Sequence, residues 1–331
     1  MTSRWTGFHS PLAAGIDMFL AHKRALGYQV RTTESVLRLL DRFLVEQHVE
    51  KIEAITPAVI GAFLSSRPRP APRSFNHLLG IVTRMFEWLI QRDFVSRSPM
   101  QTQPRRTTAS RLPFLFDPPT ARRLLDAAGA LPDTRNTPCR GLTYRTIFAL
   151  LYALGLRVGE VARLRMKDVD LPRQLLVVRK TKFAKSRLTP FGPRIGRLIA
   201  DYLDLWMVRP RIGPSIADLP IFSFRKGQPV SPGTISTIFH ELVCQLALPV
   251  PDGTRPPCVH SLRHSFAVGT LLRWYRNGTD PGSRLLPLST FMGHVNPRST
   301  AVYLTITTDL LTEASQRFER WVEPLLHKVT P

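Results

Sequence analysis

Residues 98–113, SPMQTQPRRTTASRLP, cannot be built into a packed core. The stretch offers almost no apolar side chain to bury, and its prolines lack the backbone donor that a helix interior or a central strand requires. It reads as an exposed linker dividing the chain into two blocks. At 331 residues the chain is long enough for two ordinary domains, and with 43% hydrophobic residues each has material for a core. The expected organisation is a domain over 1–98, a linker over 99–113 and a second domain over 114–331.

The first block carries helical periodicity. Leu12, Ile16, Phe19 and Leu20 recur at helical spacing, as do Val36, Leu39, Leu40 and Phe43, then Leu78, Ile81, Val82, Met85, Phe86 and Leu89. Thr56-Pro57 reads as an N-cap with a first-turn proline. The run Arg67-Pro68-Arg69-Pro70-Ala71-Pro72-Arg73 reads as a loop. Four helices are expected.

The second block predicts helices over Pro118–Ala128, Leu142–Leu154, Val158–Leu164, Ile195–Met207, Ser231–Leu246 and from Leu262 onward. Leu175–Val178 and Arg187–Pro190 read as strands joined by a basic turn. The fold class is therefore mainly α with a small antiparallel β-sheet. The tail Asp309–Leu326 carries an apolar stripe of Leu310, Leu311, Ala314, Phe318, Trp321 and Val322.

Lysine and arginine number 46 against 24 acids, a formal charge of +22. Such a surplus repels itself unless a polyanion is near, and nucleic acid is the first candidate because neutralising phosphates releases counterions. The basic residues are spread along the chain rather than gathered in one tail or amphipathic helix, which argues against a membrane surface. No run of about 18 apolar residues suggests a membrane span. The N-terminal apolar run is broken by Asp17 and lacks the features of a signal peptide, so a cytoplasmic protein is expected. Cys139, Cys244 and Cys258 are too far apart for a CxxC pair, so neither a disulfide framework nor a cysteine zinc site is expected.

Several polar groups fit phosphoryl transfer. Arg157 precedes a helix start, where an arginine beside free N–H groups can grip an anion, although taken alone it reads as a surface arginine. Glu160 either orients that guanidinium or serves only the helix dipole. His260 and Arg263, at i and i+3, can face one ligand, arginine stabilising developing charge and histidine moving a proton. His260 and His264 also have zinc spacing, but the glutamate of HExxH is missing. Tyr303 taken alone reads as a core tyrosine; as a nucleophile it needs neighbouring cations to activate its phenol. His294 comes near it if Gly293 marks a turn. Lys182 lies on the basic turn RKTKFAKSR, which from charge alone reads as a solvated face.

In order and context these pieces resemble the tyrosine recombinase (phage integrase) family, most strongly from Tyr152 to Thr305. LYALGLRVGEVARLRMKDVD is similar to the box carrying the first catalytic arginine, HSLRHSFA to the HxLRH box, and FMGHVNPRSTAVYLTI to the LGH…Y box, with Met292 where leucine is usual. KTKFAKSRLTP resembles the hairpin GKGxKxRxxP. Counting back from Arg187 and Pro190 places the catalytic lysine at Lys182. Thr181 and Phe183 replace the family's glycines, which leaves Lys180 and Lys185 as alternatives. The stretch with Arg276–Gly282 reads as a loop insertion.

The resemblance implies a helical, SAM-like core-binding domain followed by a mixed α/β catalytic domain. It implies that Tyr303 attacks a DNA phosphodiester to form a 3′-phosphotyrosyl bond. Arg157 and Arg263 would hold the non-bridging oxygens, Lys182 would protonate the 5′ oxygen, His260 would act as acid/base near the phosphate and Tyr303, and His294 would hydrogen-bond the phosphate, with Glu160 and His264 in support. Neither metal nor any other cofactor is expected. Arg105, Arg106, Arg111, Lys180 and Lys185 would contact double-stranded DNA, gripped as a clamp. A homotetramer would assemble on paired sites, the tail either capping its own domain or docking on a neighbour, with other recombinases as further partners. The insertion and the short N-terminus lean towards a recombinase of a mobile element, and the lack of an evident arm-binding domain before residue 11 argues against a large phage-type integrase. The alternatives are a type IB topoisomerase-like strand transferase and a catalytically silent DNA-binding protein.

Overall fold

The computed structural model describes residues 7–107, 111–179, 186–207, 216–225, 227–294, 296, 298–305, 311–313, 315–316, 318–319 and 322–323. The chain forms two compact units, Met1–Ser110 and Arg111–Pro331.

Four α-helices build the first unit among its described residues: α1 (Ala13–Ala25), α2 (Arg31–Glu46), α3 (Pro57–Ser65) and α4 (Pro72–Ile90). Their apolar stripes meet in one core, with Ile16, Leu37, Leu40, Phe63, Val82, Phe86 and Leu89 essentially inaccessible to solvent. Thr56 caps α3 by accepting from the Val59 N–H. The carboxylate of Asp41, buried on α2, accepts from the backbone N–H groups of His9 and Ser10 and fixes the chain entering α1. The proline-rich loop is shorter than its sequence suggests: α4 begins at Pro72, because a first-turn proline has no N–H to lose.

The linker is not free along its length. Met100 packs against the first core. Arg105 exchanges backbone bonds with the Asn76 amide, donates through Nη1 to Arg69 O and lies over the Phe75 ring. At the other end, Leu112 exchanges backbone bonds with Gly253 and Arg255 of the second unit.

The second unit is built around α6 (Arg140–Leu154), preceded by α5 (Pro118–Gly129). Helix α6 is buried on nearly every side, with Thr143, Tyr144, Ile147, Phe148, Leu150 and Leu151 all inside, so it lacks the one-sided stripe of a surface helix. Packed around it or following it are α7 (Val158–Ala162), α8 (Pro193–Met207), α9 (Pro232–Gln245) and α10 (Val259–Arg276). A three-stranded antiparallel sheet runs β1 (Val169–Asp170), β2 (Leu175–Val178), β3 (Arg187–Pro190), with Leu176 opposite Thr189 and Val178 opposite Arg187. Leu176 and Val178 point into the core. A second pair, β4 (Ser223–Arg225) and β5 (Gln228–Pro229), was not expected, and neither was β1. Elements of two or three residues carry no readable period.

The expected loop insertion is absent. Helix α10 runs to Arg276, and α11 (Pro281–Met292) starts after four residues, its Asp280 cap accepting from the Gly282 and Ser283 N–H groups. The Asn-Gly-Thr-Asp string is an interhelical turn. Helix α12 (Arg298–Ala301) and a 3-10 turn, Val302–Thr305, complete the described fold before the tail.

Candidate active site

The site forms where α7, α10, the end of α11 and the Val302–Thr305 turn meet. Arg157 is the N-cap of α7. Its backbone N–H donates to Glu160 Oε2 (2.9 Å), its Nη1 to Glu160 Oε1 (2.8 Å) and its Nη2 to Gly293 O (2.9 Å). Its guanidinium keeps an open face, the side chain being 29% exposed. Glu160 therefore orients the arginine and caps the helix together.

Arg263, one turn into α10, is buried. It donates through Nη2 to Met292 O (2.8 Å) and through Nη1 to Gly155 O. Burial, reinforced by the nearby charge of Arg157, lowers its pKa to about 10, which still leaves it charged at neutral pH. Glu160 also meets Arg187 of β3 in a two-pronged ion pair, both bonds 2.9 Å. Burial alone would raise the Glu160 carboxyl; the bonds and charge of Arg187, with those of Arg157, outweigh it and hold the pKa at about 2.

Three histidines complete the cluster. His260 and His264 stack edge-to-face, 4.6 Å between ring centres. His264 Nδ1 lies 2.9 Å from the Tyr303 hydroxyl, and His294 stacks on the Tyr303 ring at 6.5 Å while its Nδ1 lies 2.7 Å from Thr300 Oγ1. Burial, then the surrounding cationic side chains, lowers the pKa of His294 to about 4; burial, His260 and Arg263 do the same for His264. His260 is shifted in the same direction by burial, Arg263 and Arg157, although it retains an exposed face that moderates the effect. Tyr303 is buried beside Ala267, Leu271 and Met292. Burial raises its phenol pKa and the two arginines oppose that rise.

The turn between α11 and His294 depends on Gly293, whose φ of +68 is left-handed. A Cβ there would lie 2.8 Å from Arg187 Nη1. The glycine thus both permits the turn and leaves room for a guanidinium.

Residues 120–309 match the model of the Phage integrase family. Over 318 residues the chain is 33% identical to integrase/recombinase y4rB of Sinorhizobium fredii, spanning 94% of this chain and 98% of that relative. This chain belongs to the phage integrase family. Members are tyrosine recombinases, enzymes that transfer DNA strands. The chain is also 27% identical over 281 residues to tyrosine recombinase XerC of Halalkalibacterium halodurans, covering 84% of this chain and 86% of the relative. In fold it is similar to the Tn1549 transposon integrase solved with transposon right end DNA (17% identity, 92% and 98% coverage, TM-score 0.63). A lambda integrase dimer bound to a COC' core site is similar in fold too (17% identity, 90% and 77% coverage, TM-score 0.62).

Within this tyrosine recombinase, Arg157, Glu160, His260, Arg263, His264, His294 and Tyr303 converge from sequence-distant boxes. It is His264, not His260, that touches the phenol. Lys182, with Lys180 and Lys185, lies outside the described residues. Arg106 and Arg111 are exposed, whereas Arg105 is exposed but engaged with its own unit. Sequence reasoning missed two site residues. Arg187 served only as a ruler for locating the hairpin lysine, although its place in the KxRxxP pattern was a signal. Thr300, the partner of His294, gave none.

Proposed function

We propose that this enzyme is a site-specific recombinase that breaks and rejoins double-stranded DNA through a 3′-phosphotyrosyl intermediate. The observation that carries the reading is the position of the Tyr303 phenol beside His264 Nδ1, within the field of Arg263 and Arg157. In cleavage, the phenolic oxygen bonds to phosphorus and the bond from phosphorus to the 5′ oxygen breaks. The phenolic proton passes to His264, and the leaving 5′ oxygen takes a proton from Lys182. The open face of Arg157, with Arg263 behind it, offsets the negative charge that grows on the non-bridging oxygens. His260 and His294 hydrogen-bond the phosphate. Attack by the 5′ hydroxyl of a partner strand reverses these steps, so the bond energy is retained.

The first unit would grip one side of the duplex, and Arg106 and Arg111 of the linker would contact phosphates. Four protomers would act on two paired sites, joined through the tail. A charge of +22 fits this extended contact with phosphates.

The reading is tested with nicked duplexes of randomised sequence, incubated in EDTA. Covalently captured DNA is amplified and reselected to yield a site duplex. A protein–DNA adduct that disappears in Tyr303→Phe supports the nucleophile. An adduct persisting in that variant refutes it, and no adduct in any round refutes strand transfer by this chain. Relaxation of supercoiled plasmid without strand exchange would favour a topoisomerase-like enzyme.

A further inference from the structure

Three guanidinium groups converge on the end of α11. Arg187 Nε donates to Phe291 O (2.9 Å), Arg263 Nη2 to Met292 O (2.8 Å) and Arg157 Nη2 to Gly293 O (2.9 Å). These successive carbonyls lie where a helix has no intrahelical donors left to offer, and where its dipole is negative. The helix end is thus a ready-made anchor for cations. Arg187 alone of the three also forks onto Glu160 with two parallel bonds, and Glu160 fixes Arg157 by its backbone and its Nη1.

Arg187 itself has little to offer a substrate. A guanidinium has five N–H donors; in Arg187 each of its three nitrogens already donates, and the side chain is only 10% exposed. Arg157, by contrast, keeps donors and an open face. The fork geometry is specific to arginine, since a lysine ammonium cannot span both carboxylate oxygens and a carbonyl in one plane.

We propose that Arg187 is a positioning residue for DNA strand cleavage: acting through Glu160 and the last carbonyls of α11, it sets Arg157 and the Gly293-His294 turn in register, without touching DNA. The proposal deepens the strand-transfer reading and rests on it. It also ties the start of strand β3 to the arginine cradle, because Arg187 opens that strand.

The test uses the full-length protein and the nicked site duplex captured by wild type. Adduct formation rate and equilibrium binding are measured for wild type, Arg187→Lys, Arg187→Met, Glu160→Gln and the double variant Arg187→Met/Glu160→Gln. Displacement of a catalytic group by about 1 Å is enough to lower a rate on the order of 100-fold, and a loss of that size is expected for Arg187→Met and for Arg187→Lys. DNA affinity and its salt dependence should match wild type, which also verifies folding. The double variant should be no slower than the slower single variant, since both act through one path. If Arg187→Met does not fold, Arg187→Lys and Glu160→Gln carry the comparison.

Wild-type cleavage by Arg187→Lys would overturn the proposal, as would multiplying losses in the double variant. Weaker binding with a salt slope lower by about one phosphate would make Arg187 a direct DNA ligand instead. These failures are distinct from failure of the underlying reading, in which wild type itself yields no Tyr303 adduct.

Discussion

At Gly293, backbone and side-chain constraints coincide. A non-glycine residue in the left-handed region costs about 1–3 kcal/mol, and the new methyl would also push on Arg187. Gly293→Ala is therefore expected to lower the thermal midpoint of the second unit and to slow adduct formation; a variant with both unchanged would contradict this account. The ionisable residues make a second prediction. Glu160, at about 2 against an ordinary 4.5, stabilises the fold fully above pH 4.5, and the contribution fades as pH falls towards 2. His264 and His294, at about 4 against 6.5, resist protons that the unfolded chain accepts, so stability drops as pH falls from 6.5 towards 4. Urea unfolding should show a weaker second unit at pH 5 than at pH 7.5, and His264→Gln should flatten that difference. A phosphodiester set among the arginines would offset their charge, so the imidazole pKa values measured by NMR should rise when site DNA binds. Unmoved values would argue that the phosphate sits elsewhere.

Elements rather than single residues decide how the site is held. Helix α11 ends on three arginines, and α7 is a single turn whose start is held by Glu160. The first unit relies on a comparable device, since Asp41 of α2 accepts the N–H groups leading into α1. Asp41→Ala would leave the buried Ser10 N–H without its acceptor, at about 1–3 kcal/mol. Hydrogen exchange should then accelerate in α1 and α2 while the amides of α6 keep their protection. Uniform acceleration across both units would mean that they unfold together. The helices were legible because an apolar stripe repeats within a few residues of itself. Strand β1 and the β4–β5 pair were not, being too short to repeat, and the turn between α10 and α11 reads as a long loop because polar residues at a tight turn look the same as those of a loop.

At the scale of the molecule, the charge surplus predicts strong salt dependence. If 6–10 phosphates are contacted, affinity for DNA should fall by roughly 10³–10⁵ between 50 and 200 mM salt. A shallow slope would mean that most of the +22 faces away from DNA. Assembly is tested through the tail, whose predicted start at Asp309 lies outside the described residues. Deleting residues 309–331 should prevent pairing of two site duplexes in native gels while leaving single-site binding intact, and unimpaired pairing would remove the tail from the interface. No described helix is long and apolar enough to cross a membrane.

The sequence by itself determined the helical character of both blocks, the strands flanking the basic turn, and the boxes holding Arg157, His260, Arg263, His294 and Tyr303. Each is a pattern written within a short window of residues, where periodicity and spacing are local. Only the tertiary structure decided which groups meet. Arg157 and Gly293 are 136 positions apart, Arg187 and Phe291 are 104, and His264 and Tyr303 are 39. The choice of His264 over His260 at the phenol follows from where the Tyr303 turn packs against α10. The role of Arg187 follows from where β3 delivers it. Neither can be read along the chain, because a hydrogen bond between distant segments depends on how their helices pack and not on the residues between them.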